Sequence, residues 1–126
     1  MKPKVLIVHN DRIVLAFLAR FFRNAGFETH HAFEGVEGLR LAMQERPDAL
    51  VFEYHLPTMD GVTMLERIRQ TPWASDMVAV LHSRSLPRAT LDRASALDAR
   101  IWSTLHAFSE LVRVVATAIV ARAGKR

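Results

Sequence analysis

The sequence predicts one α/β domain over residues 1–126, in which a doubly wound, five-stranded parallel sheet lies between two layers of helices. Short apolar runs alternate five times with longer segments whose apolar residues recur at helical spacing. This alternation favours a parallel sheet with right-handed crossover connections. A chain of 126 residues, 50% of them hydrophobic, is long enough for one domain with its own core.

The first strand and the first helix are predicted from residues 5–26. Residues 5–8 form a continuous apolar run, which is typical of a strand covered on both faces. Asn10 or Asp11 can cap the helix that follows, and Gly26 ends it. The residues expected on the apolar face of this helix are Ile13, Val14, Phe17, Leu18, Phe21 and Phe22.

The second and third units repeat this pattern. Residues 27–31 predict a poorer strand, and Pro47 closes the helix that follows it. Residues 49–52 predict a third, fully buried strand, and Asp60 caps the next helix. The expected apolar positions are Val36, Leu39, Leu41 and Met43 in the second helix, and Val62, Met64, Leu65 and Ile68 in the third.

The last two units are less regular. Residues 77–81 predict the fourth strand, Pro87 starts a fourth helix, and residues 100–102 predict a weak fifth strand. The expected apolar positions are Ala89, Leu91, Ala94 and Leu97 in the fourth helix, and Phe108, Leu111, Val112, Val115, Ala118 and Ile119 in a long last helix.

Functional side chains are expected just after the strands, because ligands bind at the carboxyl ends of the strands in sheets of this kind. Cysteine is absent, which excludes disulfides and thiolate chemistry. The residues that follow the predicted strands at this edge are His9, Asn10, Asp11, Glu53, Tyr54, His55, His82, Ser83, Ser103 and Thr104.

The whole chain resembles the receiver domain family of response regulators. The resemblance rests on the strand and helix order, on residues 5–11 and 47–61, and above all on the hexapeptide Leu56-Pro57-Thr58-Met59-Asp60-Gly61. It implies the flavodoxin-like (βα)5 fold, also called the CheY-like receiver fold. It also implies a role in two-component signal transduction. We expect a cytoplasmic location, because the sequence shows no secretory signal.

The resemblance also implies a set of chemical positions. The family uses carboxylates after the first strand to bind magnesium and an aspartate after the third strand to accept a phosphoryl group. It also uses a Ser or Thr after the fourth strand and a lysine after the fifth. In this chain the metal-binding acids correspond to His9 and Asn10, with Asp11 beside them, and the phosphoacceptor to Glu53. The hydroxyl corresponds to His82, or to Ser83 with a register one residue away, and the lysine to Thr104 or Ser103.

These replacements predict a degenerate receiver that is not an enzyme and holds no cofactor. Magnesium requires oxygen ligands and one or two carboxylates, which His9 and Asn10 do not provide. Phosphoryl transfer depends on positioning and charge neutralisation, and the extra methylene of Glu53 displaces its oxygen from the in-line position. We expect Glu53 to direct a permanent negative charge outward, and the domain to act through phosphorylation-independent protein–protein interaction.

The expected partner face lies in the last third of the chain, where eight basic residues stand against three acidic ones. A protein partner is predicted, with no membrane and no nucleic acid, because no apolar span or helix-turn-helix pattern is present. A dimer through the last helix and fifth strand is a further prediction. The alternative is that Trp102 belongs to the core and that the arginines only keep the surface soluble. The residues of the predicted face are Arg84, Arg88, Arg93, Arg100, Trp102, Phe108 and Arg113.

Two alternative functions remain open from the sequence. Imidazoles with a carboxylate suit zinc, copper or nickel, so His9, Glu53, His55 and His82, with His106 as a further candidate, predict a transition-metal site. The other alternative is a receiver that is still phosphorylated on Glu53 or Asp60, although an N-cap is the simpler role for Asp60.

Overall fold

Five parallel strands form one sheet in the order β2-β1-β3-β4-β5. The structure is a computed structural model that describes residues 2–83, 85–103 and 108–123, except for the side chain of Ser83. The strands are β1 Lys4–Val8, β2 Glu28–Ala32, β3 Ala49–Phe52, β4 Val78–Ser83 and β5 Ala99–Ser103. The predicted fold class is therefore confirmed, and the strand bounds agree with the predicted ones to within two residues.

In the described part of the chain, four helices connect consecutive strands, a fifth follows the last strand, and together they cover both faces of the sheet. They are α1 Arg12–Asn24, α2 Gly35–Glu45, α3 Gly61–Arg69, α4 Arg88–Ala96 and α5 Phe108–Ala123, with a short 3-10 helix at Pro72–Asp76. In the part of the chain that the structure describes, no helix has the length and apolar character needed to cross a membrane.

The central strands divide the core into two layers. In β1, Val5 and Ile7 pack with α1 and α5, whereas Leu6 and Val8 pack on the opposite face with α2 and α3. All four side chains are fully buried. This is the alternation that a strand between two helical layers requires, and it explains why residues 5–8 are apolar throughout.

Helix α1 is rotated relative to the prediction. Its N-cap is Asp11, which accepts hydrogen bonds from the backbone N–H groups of Ile13 at 2.9 Å and Val14 at 3.2 Å. The buried residues are Leu15, Leu18, Ala19 and Phe22, whereas Ile13 is 69%, Phe17 49% and Phe21 37% exposed. The predicted face was wrong at these three positions, because apolar residues occupy more of the helix than the sheet covers.

The other helices keep their predicted apolar positions buried or half-buried, except at Val36 of α2 and Ala89 of α4, which are exposed. Val36 of α2 is 48% exposed, whereas the fully buried residues of that helix are Gly35, Gly38 and Ala42. Trp102 of β5 is only 8% exposed and belongs to the core cluster with α5. Its predicted place on a partner face was therefore wrong.

Arg69, the last residue of α3, donates hydrogen bonds to the segments that precede β4 and β5. Its guanidinium donates to the carbonyl of Leu97 at 3.0 Å and to the carbonyls of Ala74 and Met77, both at 2.6 Å. Burial lowers the pKa of Arg69, and the nearby charge of Asp98 partly offsets this. One side chain thus satisfies backbone acceptors from two separate segments.

Replacing Arg69 with Met should lower the free energy of unfolding by about 2–4 kcal/mol, because buried carbonyls would lose their donors while the apolar stem is kept. Urea denaturation measures this change. Arg67→Met, on an exposed position of the same helix, is the matched control and should change stability by less than about 0.5 kcal/mol. Equal effects of the two variants would contradict this role for Arg69.

Candidate functional site

The carboxyl ends of β1, β3 and β4 meet at a cavity of about 240 Å³. Six of the predicted site residues line it, namely His9, Asn10, Asp11, Glu53, His55 and His82. Tyr54, which also follows the third strand, lines it too. Val14, Ser85 and Leu86 complete the lining, and no sequence pattern had marked these three as site residues.

Glu53 directly follows β3, and its carboxylate turns back over the end of β1. The backbone N–H of Glu53 donates to the carbonyl of Val8 at 3.1 Å, which extends the pairing of the two strands by one bond. Its carboxylate accepts the backbone N–H of Asn10 at 2.7 Å, and its side chain is only 16% exposed. The expectation that Glu53 directs its charge outward was wrong, because this N–H draws the carboxylate inward.

A second bond joins the same two loops. The side-chain amide of Asn10 donates to the carbonyl of His55 at 2.6 Å. Asp11, the remaining acid after β1, is engaged as the N-cap of α1. Both polar residues that follow His9 are therefore held by bonds within the chain.

His9 and His82 form a buried imidazole pair across the end of β3. They are 6% and 5% exposed, and His9 Nε2 lies 3.3 Å from His82 Nδ1. The backbone N–H of Asp11 donates to His9 Nδ1 at 3.1 Å, so this nitrogen carries a lone pair. In the neutral ring the proton is then on Nε2, which donates to His82 Nδ1.

The position of Glu53 is consistent with this tautomer. Glu53 Oε1 lies 3.5 Å from His9 Nδ1, which exceeds the usual length of about 2.7–3.2 Å for an N–H···O bond. The shorter contact to His9 Nδ1 comes from the Asp11 N–H. The His9 ring is therefore oriented by the backbone of the first turn of α1.

The loop after β3 is shaped by Gly61. Its N–H donates to the carbonyl of Tyr54 at 2.9 Å, and a Cβ at this position would overlap the carbonyl oxygen of Glu53. Asp60 caps α3 by accepting the Thr63 N–H at 2.8 Å, which confirms its predicted N-cap role. The close approach of Gly61 holds the backbone of Glu53 in place.

The four residues predicted to bind a transition metal, His9, Glu53, His55 and His82, do not bring their ligating atoms together in one cluster. Across residues 2–83, 85–103 and 108–123, the metal-ligating atoms that gather within 4.8 Å of one another belong to Glu28, His30 and Glu45, away from the cavity. His106 and Thr104 lie outside the described residues, as does the side chain of Ser83. Ser103 is half-buried at the end of β5.

The arginines of the predicted partner face lie on the surface. Arg88 pairs with Asp92 at 3.1 Å, Arg113 lies 3.6 Å from Glu110, and Arg100 is exposed. Arg93 donates to the Thr63 hydroxyl at 3.1 Å and lies 3.7 Å from Glu66. Phe108 is half-buried, with its ring against His82 and Phe21. Arg84 lies outside the described residues.

The comparisons with known proteins found one family model and several relatives. The model of the response regulator receiver domain family matches residues 5–106. The transcriptional regulatory protein PrrA of Mycobacterium tuberculosis is 41% identical over 98 residues, which is 77% of this chain and 40% of that protein. The response regulator MprA of Mycobacterium ulcerans is 33% identical over 100 residues, 79% of this chain and 41% of that protein. The chain therefore spans about 40% of the length of these curated relatives.

Solved structures share the fold. The response regulator receiver domain protein from Methanospirillum hungatei superposes with a TM-score of 0.92 at 18% identity and covers 100% of both chains. The signal receiver domain of an HD domain-containing protein from Pseudomonas fluorescens has a TM-score of 0.87 at 23% identity, covering 99% of this chain and 92% of that one. At these identities the likeness concerns the fold.

We expect His9 to have its proton on Nε2 in the neutral ring, because the Asp11 N–H donates to Nδ1. Two-bond ¹H–¹⁵N correlation spectra of the histidine rings would distinguish the tautomers. His31, which is exposed on β2, provides the internal comparison in the same spectrum. A proton on Nδ1 of neutral His9 would contradict the bonding described for the imidazole pair.

Proposed function

Because the chain belongs to the response regulator receiver domain family, we propose that it is a degenerate receiver, or pseudo-receiver. In this proposal it acts in two-component signalling through phosphorylation-independent protein–protein interaction and catalyses no reaction. The observation that carries the proposal is the carboxylate of Glu53, which is bonded to the Asn10 N–H at 2.7 Å where the family has its phosphoacceptor.

The residues after β1 argue against a magnesium site of the family's kind. Magnesium takes oxygen ligands in a near-octahedral arrangement and is usually held by one or two carboxylates. His9 offers ring nitrogens that face Asp11 and His82, and the amide of Asn10 is directed to the His55 carbonyl. The carboxylate of Asp11 is held by the first turn of α1.

Glu53 is also poorly placed as a nucleophile. Phosphoryl transfer requires the attacking oxygen to be in line with the leaving group, and a displacement of an ångström is costly. The carboxylate of Glu53 is turned toward β1 and is only 16% exposed. Glu53 Oε1 could attack a phosphodonor only after its bond to the Asn10 N–H had broken.

We expect no phosphoryl adduct when the chain is incubated with acetyl phosphate and magnesium, as measured by intact mass under neutral conditions. Glu53→Asp should also remain unmodified, because the residues after β1 still provide no metal site. Glu53→Gln serves as the control, since it keeps an acceptor oxygen for Asn10 but cannot be phosphorylated. A single labile adduct on the wild type that disappears in Glu53→Gln would overturn the proposal and favour the phosphorylatable alternative.

The surface of α1 fits a protein partner better than the predicted basic face does. Ile13, Phe17 and Phe21 are 69%, 49% and 37% exposed and are spaced four residues apart, so they form one apolar stripe. Arg12, Arg20 and Arg23 stand on the same helix, which has no acidic residue. An amphipathic helix with acidic side chains would complement both the stripe and the charge.

The basic face around α4 has fewer of the features of an interaction hot spot. Trp102 is buried, which removes its aromatic anchor. Arg88 and Arg93 each lie within 4 Å of an acidic side chain of the same molecule. These arginines would have to give up existing pairs to bind a partner, whereas the apolar side chains of α1 are already exposed.

The predicted dimer through β5 and α5 remains a separate proposal. Ile101 on β5 is 43% exposed and Val120 on α5 is 72% exposed. Arg100 and Arg113 line a groove between the same two elements. A second copy on this face would leave the α1 stripe available to another partner.

Phe17→Ser should weaken binding of a captured signalling partner by about tenfold or more, because a buried aromatic anchor typically contributes over about 1 kcal/mol. Binding is measured with the purified partner, and thermal unfolding checks that the fold is unchanged. Arg88→Glu with Arg93→Glu is the matched variant on the other face and should bind nearly as well as the wild type. Loss of binding in that variant alone would instead favour the α4 face.

A further inference from the structure

A cluster of metal-ligating side chains lies on the edge of the sheet, near the amino ends of β1 and β2. Glu28 is the first residue of β2, and His30 is two residues further, on the same face of the strand. Glu45, the last residue of α2, reaches the same place. Because Lys4 is the register partner of Glu28, this position is at the opposite end of the strands from the cavity.

The ligating atoms are already close together. His30 Nε2 lies 2.7 Å from Glu28 Oε2 and 3.4 Å from Glu45 Oε1. In a tetrahedral zinc site with bonds of about 2.0–2.1 Å, neighbouring ligand atoms are about 3.3–3.4 Å apart. The His30–Glu45 spacing meets this requirement. Glu28, whose side chain is 46% exposed, would need to retreat by only about 0.6 Å.

The cluster already attracts a cation from the chain itself. The ammonium of Lys4 lies 3.4 Å from Glu45 Oε1 and 3.8 Å from Glu28 Oε2. The amide of Gln44 donates to Glu45 at 3.0 Å, which is the largest cause that lowers the pKa of Glu45.

We propose that Glu28, His30 and Glu45 bind a divalent transition-metal ion, with zinc as the best match, in exchange for the ammonium group of Lys4. One imidazole and two carboxylates are a donor set that suits zinc, and three protein ligands leave the fourth position for water. The exchange costs little free energy, because the carboxylates lose a partly exposed ammonium and gain an ion of higher charge. The site is independent of the cavity and of the pseudo-receiver proposal.

The test is isothermal titration of the chain with zinc chloride. His30→Ala and Glu45→Gln should each weaken zinc binding by at least about tenfold, because each removes a direct ligand. Lys4→Met keeps the length of the side chain but removes the competing charge, so it should tighten binding by roughly two- to fivefold. His31→Ala, on the next residue of the same strand but with the opposite direction, is the matched control and should leave the affinity unchanged.

The outcomes of these titrations distinguish a metal site at Glu28, His30 and Glu45 from a metal site in the cavity. Equal zinc affinity in the wild type and in His30→Ala would overturn the proposal, as would the absence of zinc binding in the wild type. Loss of binding in the double variant His9→Gln with His82→Gln, with binding kept in His30→Ala, would place the metal in the cavity and also overturn it. An unchanged affinity in Lys4→Met would contradict the exchange mechanism.

Discussion

The hydrogen bond from the Asn10 backbone N–H to the Glu53 carboxylate fixes the ends of two neighbouring inner strands, β1 and β3, against each other. At 2.7 Å it is a charge-assisted bond, which is stronger than one between neutral groups. It places Asn10 where its amide reaches the His55 carbonyl, and Asp11 where it caps α1. The negative charge of Glu53 is thus stabilised by a backbone dipole of the chain itself.

The imidazole pair can be buried at a lower electrostatic cost than a group of carboxylates in the same place. Several acids at one buried edge repel each other and raise one another's pKa, so they require a cation. His9 and His82 are nearly fully buried, and one ring donates where the other accepts. The tautomer of His9 is set by the Asp11 N–H, so the pairing depends on the position of the first turn of α1. Changing either histidine to an acid would disturb both the hydrogen bond between the rings and the position of the first turn of α1.

The sequence was sufficient for β1 and β3, whose residues are almost all apolar on both faces, and for the Asp60 cap, which depends on local bonds only. It was not sufficient for α1, since apolar residues on several sides of a helix do not show which side meets the sheet. Nor could it show the His9–His82 pair. These residues are 73 positions apart and meet only because β1 and β4 flank β3 in the sheet.

The same geometry connects the cavity with the apolar stripe on α1. The ring of His82 lies 6.3 Å from that of Phe108, which lies 6.0 Å from the exposed Phe21. Coupling between the binding free energies of two sites is reciprocal. A partner that orders the Phe21 side chain would then also order the His82 ring. Phe21 on α1 and His82 in the cavity would be coupled without transfer of a phosphoryl group.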